Sequence, residues 1–225
     1  MRPGVVLQHE PSGPPARLAE WLEGRSIAYE TRRVWEQGVL TDPSALAWIC
    51  SLGSDQTPGR PGAPAWVEEE VGFLRRAVAE GVPVLGLCFG AQALAAAAGA
   101  RIGAADPPEV GWFEIDSSDE ERIPRGPWLH FHYDQLMLPA GASELARSGA
   151  GTAAFRLGPH LGLQFHPEAT PEIADGWAEA EHGTLARLGI DRGGLARAGE
   201  RCGEPAAAAA RRLFDAWWSE VPSGR

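Results

Sequence analysis

The chain has 225 residues, with 30 acidic against 20 basic side chains and a formal net charge of −10. Every basic residue is arginine, and the sequence contains neither Lys nor Asn. This composition excludes a Schiff-base lysine, a phosphate-loop lysine and a Cys-His-Asn triad. The acidic excess argues against a nucleic-acid partner or an anionic membrane, because no basic field attracts phosphate.

The length fits one domain, and we expect residues 1–225 to form a single α/β unit. The three cysteines, Cys50, Cys88 and Cys202, are few, odd in number and far apart, so we expect neither a disulfide framework nor a C-x-x-C metal site. The first apolar run is too short for a signal peptide, and no stretch reaches the length of a membrane span. We therefore expect a cytoplasmic protein.

The first part of the chain alternates strand and helix patterns. The predicted strands are 4–9, 26–34, 45–52 and 82–87, and the predicted helices are 15–22, 65–80 and 91–98. The helix over 65–80 is the most clearly marked, because apolar residues recur at spacings of four, three and four and Gly81 follows. Such alternation is typical of a doubly wound, mostly parallel sheet flanked by helices.

The second part of the chain has a different pattern. Short strand candidates at 111–116, 128–133, 153–157 and 161–165 are separated by turn-rich segments, which indicates a small antiparallel addition. Two helices are predicted over 171–181 and 205–218, and the apolar face of the second favours docking on its own domain. The Gly- and Arg-rich stretch 183–203 carries no clear pattern.

A first catalytic motif is Gly86-Leu87-Cys88-Phe89-Gly90, which follows an apolar strand and precedes an Ala-rich helix. This is the pattern of a nucleophile elbow, a sharp turn in which flanking glycines let the backbone approach closely. At the first turn of a helix, unpaired N–H groups and the helix dipole favour the thiolate of Cys88. The alternative is a buried structural cysteine in a Gly-rich turn.

A second motif is Gln164-Phe165-His166-Pro167-Glu168. Pro167 biases His166 toward an extended backbone, so His166 and Glu168 should project to the same side. The carboxylate then holds one imidazole nitrogen and leaves the other to exchange a proton with Cys88. Alone, the motif is also consistent with a surface ion pair; together with the elbow it favours a Cys-His-Glu triad.

GLCFGAQ and LQFHPE together resemble the class I, or triad-type, glutamine amidotransferase family, in particular its freestanding GMP-synthetase-like glutaminase domains. The likeness runs from about residue 4 to about residue 181 and leaves a C-terminal helical extension over about 182–225. The resemblance implies a flavodoxin-like fold, with Cys88 as nucleophile, His166 as general base and acid, and Glu168 as the residue that orients it. It implies no cofactor, and glutamine or a γ-glutamyl amide as substrate.

The family's oxyanion hole of backbone N–H groups maps onto Phe89 and onto Gly53. Many relatives have Gly-Gly-Pro in the second of these loops, whereas this chain has LGSD at 52–55, so only Gly53 carries over. Gln92 matches the position that helps hold the glutamine head group. Two oxyanion donors would each contribute about 3 kcal/mol of transition-state stabilisation.

The segment 130–134 falls where the family has a His-containing loop beside the substrate, which implies substrate contacts for Phe131 and His132. Tyr133 replaces the Gly of the S-H-G-D form of this loop. His130 and His132 alternate on one strand face, as metal ligands do, but no third ligand stands at a usual spacing and we predict no metal site. The segment EVGW at 109–112 resembles the family's E-x-G-W and is assigned no catalytic role.

Three functional hypotheses follow. In the first, the chain hydrolyses the glutamine side-chain amide and passes ammonia to an acceptor on a partner synthetase, since no phosphate loop is present to activate an acceptor. In the second, it acts alone on γ-glutamyl amides, for example those of polyamines. In the third, it is a catalytically silent regulatory or binding subunit, which the intact Cys88, His166 and Glu168 disfavour. An α/β-hydrolase is disfavoured because its acid precedes its His in the chain.

Overall fold

The computed structural model describes residues 2–222, in which ten strands and seven helices are found. Residues 223–225, the end of the predicted extension, lie outside this range. The strands are β1 (Gly4–Gln8), β2 (Tyr29–Arg33), β3 (Ile49–Ser51), β4 (Val84–Leu87), β5 (Ile102–Phe113), β6 (Asp116–Ser117), β7 (Trp128–Leu136), β8 (Ser143–Arg147), β9 (Thr152–Leu157) and β10 (His160–Leu163). The helices are α1 (Ala16–Gly24), α2 (Val34–Gln37), α3 (Ala65–Glu80), α4 (Phe89–Ala97), α5 (Pro171–Ala180), α6 (His182–Arg187) and α7 (Arg192–Glu220).

Eight strands form one sheet in the order β2-β1-β3-β4-β10-β9-β8-β6. Neighbours from β2 to β10 run parallel, and β9, β8 and β6 extend the sheet antiparallel. A separate two-stranded antiparallel ribbon pairs β5 with β7. The predicted fold class, a doubly wound and mostly parallel sheet with a small antiparallel addition, is confirmed.

The central strands are buried on both faces, which explains their nearly continuous apolar sequence. Successive residues of β1 belong to opposite layers: Val6 lies in the core cluster that contains Leu18 of α1 and Trp217 of α7, and Val5 in the cluster that contains Phe73 of α3. Burying each such side chain contributes roughly 1.5–3 kcal/mol. The two layers fix the sheet, whose carboxyl edge carries the loops described below.

The helix predicted over 65–80 matches α3, and Gly81 ends it in the left-handed conformation at φ 65°.

The prediction of a helix over 205–218 was wrong at its start, because α7 begins at Arg192 and contains Pro205. Asp191 caps it by accepting hydrogen bonds from the N–H groups of Gly193 and Gly194. The apolar side of α7 is buried in the main core, as predicted. Tertiary packing therefore stabilises this helix despite the proline in its interior.

Three strands differ from the sequence prediction. The prediction recognised only the end of β5, because two prolines at 107 and 108 interrupt its pattern, and it did not include β8. The third strand is limited to Ile49–Ser51, shorter than the predicted 45–52. Within residues 2–222, none of the helices has the length and apolar character needed to cross a membrane.

Candidate active site

The turn between β4 and α4 holds Cys88 in a strained conformation, with φ 50° and ψ −104°. The N–H of Cys88 donates to the carbonyl of Leu163, which ties the turn to β10. A Cβ on Gly86 would lie 2.5 Å from the carbonyl oxygen of Gly90, and a Cβ on Gly90 would lie 2.0 Å from that of Ser51. Both flanking glycines are therefore required by close backbone approach, as the elbow pattern predicts.

His166 and Glu168 follow β10 and lie on the same side of the chain. Nδ1 of His166 is 2.8 Å from Oε1 of Glu168, and both side chains are nearly fully buried. The backbone of His166 is fixed by its N–H, which donates to the carbonyl of Leu129 in β7. The carbonyl of Glu168 accepts a hydrogen bond from the N–H of Arg17 in α1. The His-Pro-Glu segment is thus held from two sides.

The charge state of His166 depends on both acidic neighbours. Burial lowers the pKa of His166, but the charges of Glu168 and of the Cys88 thiolate outweigh it and raise this pKa to about 10. Among residues 2–222, Nε2 of His166 finds no hydrogen-bond partner of standard geometry, so this nitrogen can exchange a proton. An imidazolium beside Cys88 stabilises a thiolate, which is the reactive form of cysteine.

The loop at Gly53, predicted to hold an oxyanion donor, lies against the same groups. A Cβ on Gly53 would lie 2.8 Å from Cε1 of His166 and 3.8 Å from Cβ of Cys88. Phe89 is the first residue of α4, where the helix offers its N–H no internal acceptor. The two predicted oxyanion positions therefore flank Cys88.

A buried network that the sequence analysis did not identify lies behind this loop. Nδ1 of His9 donates to the carbonyl of Gly53 at 3.0 Å, and its Nε2 is 2.8 Å from Oε2 of Glu70. The hydroxyl of Ser51 donates to the other oxygen of Glu70 at 2.6 Å. Burial lowers the pKa of His9, but Glu70 outweighs that effect and the pKa is raised. In the sequence, His9 was only the last residue of the first predicted strand, which gave no signal for this network.

Two buried glutamines lie beside Cys88. The side-chain amide of Gln164 lies 3.7 Å from Sγ of Cys88. The amide of Gln92 donates to Oε1 of Gln164 at 3.4 Å and to the carbonyl of Asp134 at 3.3 Å. Gln92, predicted to hold a substrate head group, therefore borders the site. Gln164 was missed as a site residue although it lies within the LQFHPE motif.

The β5–β7 ribbon supplies the opposite wall. Phe131 and His132 line the same cavity as Cys88, and the ring of Phe131 packs edge-on against Trp177 of α5. Trp177 also packs against His166 with ring centroids 4.8 Å apart, and its indole N–H donates to the carbonyl of Ser12. The sequence did not identify Trp177, which reaches the site only through the docking of α5.

The ribbon also brings Glu109 to His130 and His132. Oε2 of Glu109 lies 3.1 Å from Nδ1 of His130 and 3.1 Å from Nε2 of His132. Burial raises the pKa of Glu109, but the two imidazoles outweigh it and hold this pKa well below its usual range. Burial lowers the pKa of His130. No residue at a usual spacing in the sequence could join His130 and His132 as a third metal ligand. Glu109 takes that position from the opposite strand of the ribbon.

The cavity that these walls enclose measures about 520 Å³, within the usual range for small-molecule sites. Its lining contains five carboxylates and one guanidinium: Glu10, Asp55, Asp134, Glu168, Glu181 and Arg60. Arg60 is itself paired with Asp134 at 2.6 Å. The cavity is therefore strongly acidic apart from its imidazoles.

A family model described as glutamine amidotransferase class-I matches residues 57–176, just over half of the chain. A GMP synthase [glutamine-hydrolyzing] from Aeropyrum pernix is 32% identical over 185 residues, which cover 72% of this chain and 36% of that protein. A protein from Ignicoccus hospitalis, named as one subunit of a glutamine-hydrolyzing GMP synthase, is 34% identical over 95 residues, covering 38% of this chain and 50% of that protein. The chain thus spans between a third and half of these relatives.

Among solved structures, a glutamine amido transferase from Methylobacillus flagellatus superimposes with a TM-score of 0.88 at 20% identity, covering 100% of this chain and 98% of the other. This likeness supports the fold. Together with the match to the family model, it makes the assignment: the chain belongs to the class I glutamine amidotransferase family.

Proposed function

We propose that this protein hydrolyses the side-chain amide of glutamine through a γ-glutamyl thioester on Cys88. The observation that carries the proposal is the convergence of a strained elbow cysteine, the buried His166–Glu168 pair and Gly53 on one cavity. Each of these groups has a defined task in acyl transfer. Membership of the family supports glutamine as the substrate class.

The reaction starts when the thiolate of Cys88 attacks the amide carbon of glutamine. The carbonyl oxygen takes up negative charge, which the N–H groups at Gly53 and Phe89 stabilise. His166 gives its proton to the nitrogen as the carbon–nitrogen bond breaks, so ammonia leaves and the thioester remains. His166 then takes a proton from water, whose attack on the thioester restores the thiolate and releases glutamate. Glu168 keeps the imidazole oriented throughout.

A glutaminase assay on the purified chain tests this proposal. We expect equal amounts of glutamate and ammonia, and covalent labelling of Cys88 by a glutamine-analogue diazo-ketone. Absence of labelling, together with unchanged cellular function in a Cys88→Ala variant, would instead favour a silent regulatory subunit.

Transfer of the ammonia to an acceptor on a partner synthetase is the second part of the proposal. Its support is that the Aeropyrum pernix relative extends well beyond the matched region and that the Ignicoccus hospitalis relative is named as one subunit of its enzyme. We expect a synthetase encoded beside this gene to raise the glutaminase rate when mixed with the chain. Equal rates with and without such a synthetase would contradict the transfer.

A second candidate is hydrolysis of γ-glutamyl amides whose amine portion carries a positive charge. The acidic lining of the cavity favours it, because Glu10, Asp55 and Glu181 attract a cation and Arg60 is already paired. A γ-glutamyl diamine should then have a higher kcat/KM than its neutral alkylamide analogue, and the advantage should shrink in Glu10→Gln and Glu181→Gln variants. High activity on the diamine with little on glutamine would overturn the first proposal.

A further inference from the structure

Three side chains of the β5–β7 ribbon form what we call the ribbon cluster: Glu109, His130 and His132. Glu109 pairs directly with His132 across the ribbon, and His130 lies two residues before His132. Since alternate residues of a strand share a face, the three side chains converge on one side. Their exposed fractions are 10%, 0% and 2%, so the cluster is removed from solvent.

We propose that the ribbon cluster is a binding site for a divalent transition-metal ion of the zinc class. One nitrogen of each imidazole and one carboxylate oxygen lie 3.1, 3.1 and 3.4 Å from one another. Three ligands of a tetrahedral zinc ion, each at about 2.0–2.1 Å from the metal, are about 3.3–3.4 Å apart. The free chain therefore already holds three ligand atoms at almost the required spacing.

The orientation of His132 supports a cation at the centre of this triangle. Nδ1 of His132 donates to the carbonyl of Asp134 at 3.0 Å. This contact turns the other nitrogen, Nε2, toward the carboxylate of Glu109 and Nδ1 of His130. A metal ion at the centre would accept a lone pair from each of the three atoms.

The surroundings of the ribbon cluster resemble those of metal ligands. A ligating histidine usually donates its second N–H to a carbonyl, as His132 does to Asp134. Glu109 is held in place by the hydroxyl of Ser148 at 2.8 Å and by the N–H of Ala150 at 3.0 Å. Opposite His130 the ribbon has Gly111, and the ring of Phe113 fills the space beside this glycine and packs edge-on against His130. The ligands are therefore positioned before any ion arrives.

The test measures Zn²⁺ binding to the full chain after chelator treatment and dialysis, by calorimetry. It is done in a Cys88→Ala background, because a thiolate beside His166 is itself a zinc ligand set. We expect one equivalent of Zn²⁺ to bind and to raise the unfolding temperature, since an ion that binds only the folded state stabilises it. With Co²⁺ as the probe, we expect visible bands of a four-coordinate site without thiolate charge transfer.

Glu109→Gln and His130→Gln should weaken Zn²⁺ binding by roughly 10–100-fold or more, and Ser148→Ala, which keeps every ligand, by roughly 10-fold. His160→Gln, a buried histidine outside the cluster, is the matched control and should bind like the parent. The proposal is overturned if the parent shows no saturable binding, or if the ligand variants bind as it does. If those variants do not fold, Ser148→Ala decides: an affinity equal to that of the parent overturns the proposal.

Discussion

Both walls of the cavity pair histidine with glutamate, yet the pairs behave differently. On the side of Cys88, His166 and Glu168, which we call the elbow wall, Glu168 and the Cys88 thiolate together raise the pKa of His166 to about 10, against the effect of burial. On the ribbon wall, one carboxylate, Glu109, is shared by two imidazoles, and burial lowers the pKa of His130. An imidazole with two acidic neighbours is therefore protonated more readily than one that shares a single carboxylate with a second imidazole.

The largest effect should come from removing the nucleophile of the elbow wall. Cys88→Ala should lower kcat for glutamine by roughly 10⁴-fold or more, as loss of a covalent nucleophile does elsewhere. Steady-state release of ammonia is the measurement. Cys202→Ala removes a partly buried thiol of α7 and is the matched control. Substantial activity in Cys88→Ala would show that the elbow wall is not the reacting side.

The next largest effect should come from filling the space between Gly53 of the proposed oxyanion loop and the imidazole of His166. In Gly53→Ala the added methyl would lie 2.8 Å from Cε1 of His166, so the loop or the ring must shift. We expect kcat to fall by roughly 10²–10³-fold, the usual loss when an oxyanion donor is misplaced. Gly24→Ala, at the end of α1, meets no atom of the described chain within 4 Å and should retain full activity.

A smaller effect should follow from disrupting the network of His9 and Glu70 behind the loop at Gly53. His9→Phe removes the donor to the carbonyl of Gly53 and leaves the buried carboxylate of Glu70 without its imidazole partner. We expect kcat to fall about 10-fold, the effect of about 1.4 kcal/mol, with KM little changed, and we expect the chain to lose stability.

The double variant His9→Phe/Glu70→Leu separates the two consequences. It removes the unpaired carboxylate and should recover stability, while kcat stays low because Gly53 still lacks its donor. Recovery of kcat together with stability would show that His9 acts only on folding.

The elbow wall was more predictable from sequence than the ribbon wall. Gly86, Cys88 and Gly90 lie within five residues, and His166 and Glu168 are two residues apart, so local motifs carry both groups. Glu109 and His132 meet only through strand pairing, and the two prolines in β5 conceal that strand from pattern analysis. The contact between Glu109 and His132 could therefore be recognised only in the structure.

The same distinction holds for the fold. β1, β4 and α3 have continuous apolar or periodic patterns and were predicted closely. The segment 183–203 has no such pattern, because glycine and arginine dominate it, and its helical structure depends on a cap at Asp191 and on packing of the later turns of α7 in the core. Packing between distant segments overrides local propensity at such places.

A further test concerns His160, a histidine away from both walls whose pKa is shifted by burial alone. His160, at the start of β10, lies at a small hollow with the Arg122–Glu220 and Arg156–Glu220 ion pairs, and burial lowers its pKa to about 4. Between about pH 6.5 and pH 4 the unfolded chain takes up a proton there that the folded chain does not, so stability falls as pH falls through this range. Above pH 6.5 both states are neutral at this site, and it has no effect.

His160→Leu should remove this acid sensitivity, together with an Nδ1 that has no hydrogen-bond partner among residues 2–222, without opening a large cavity. At pH 5 the variant's unfolding temperature should exceed that of the parent by roughly 4–8 °C more than it does at pH 7.5, because about 1.5 pH units below 6.5 correspond to about 2 kcal/mol at this site. Thermal unfolding followed by circular dichroism at the two pH values measures the difference. If both proteins lose stability equally on acidification, His160 does not titrate in this range. The acidic neighbours of His166 raise its pKa, whereas burial lowers that of His160. Of these two histidines, only His160 should therefore reduce stability as the pH falls from 6.5 to 4.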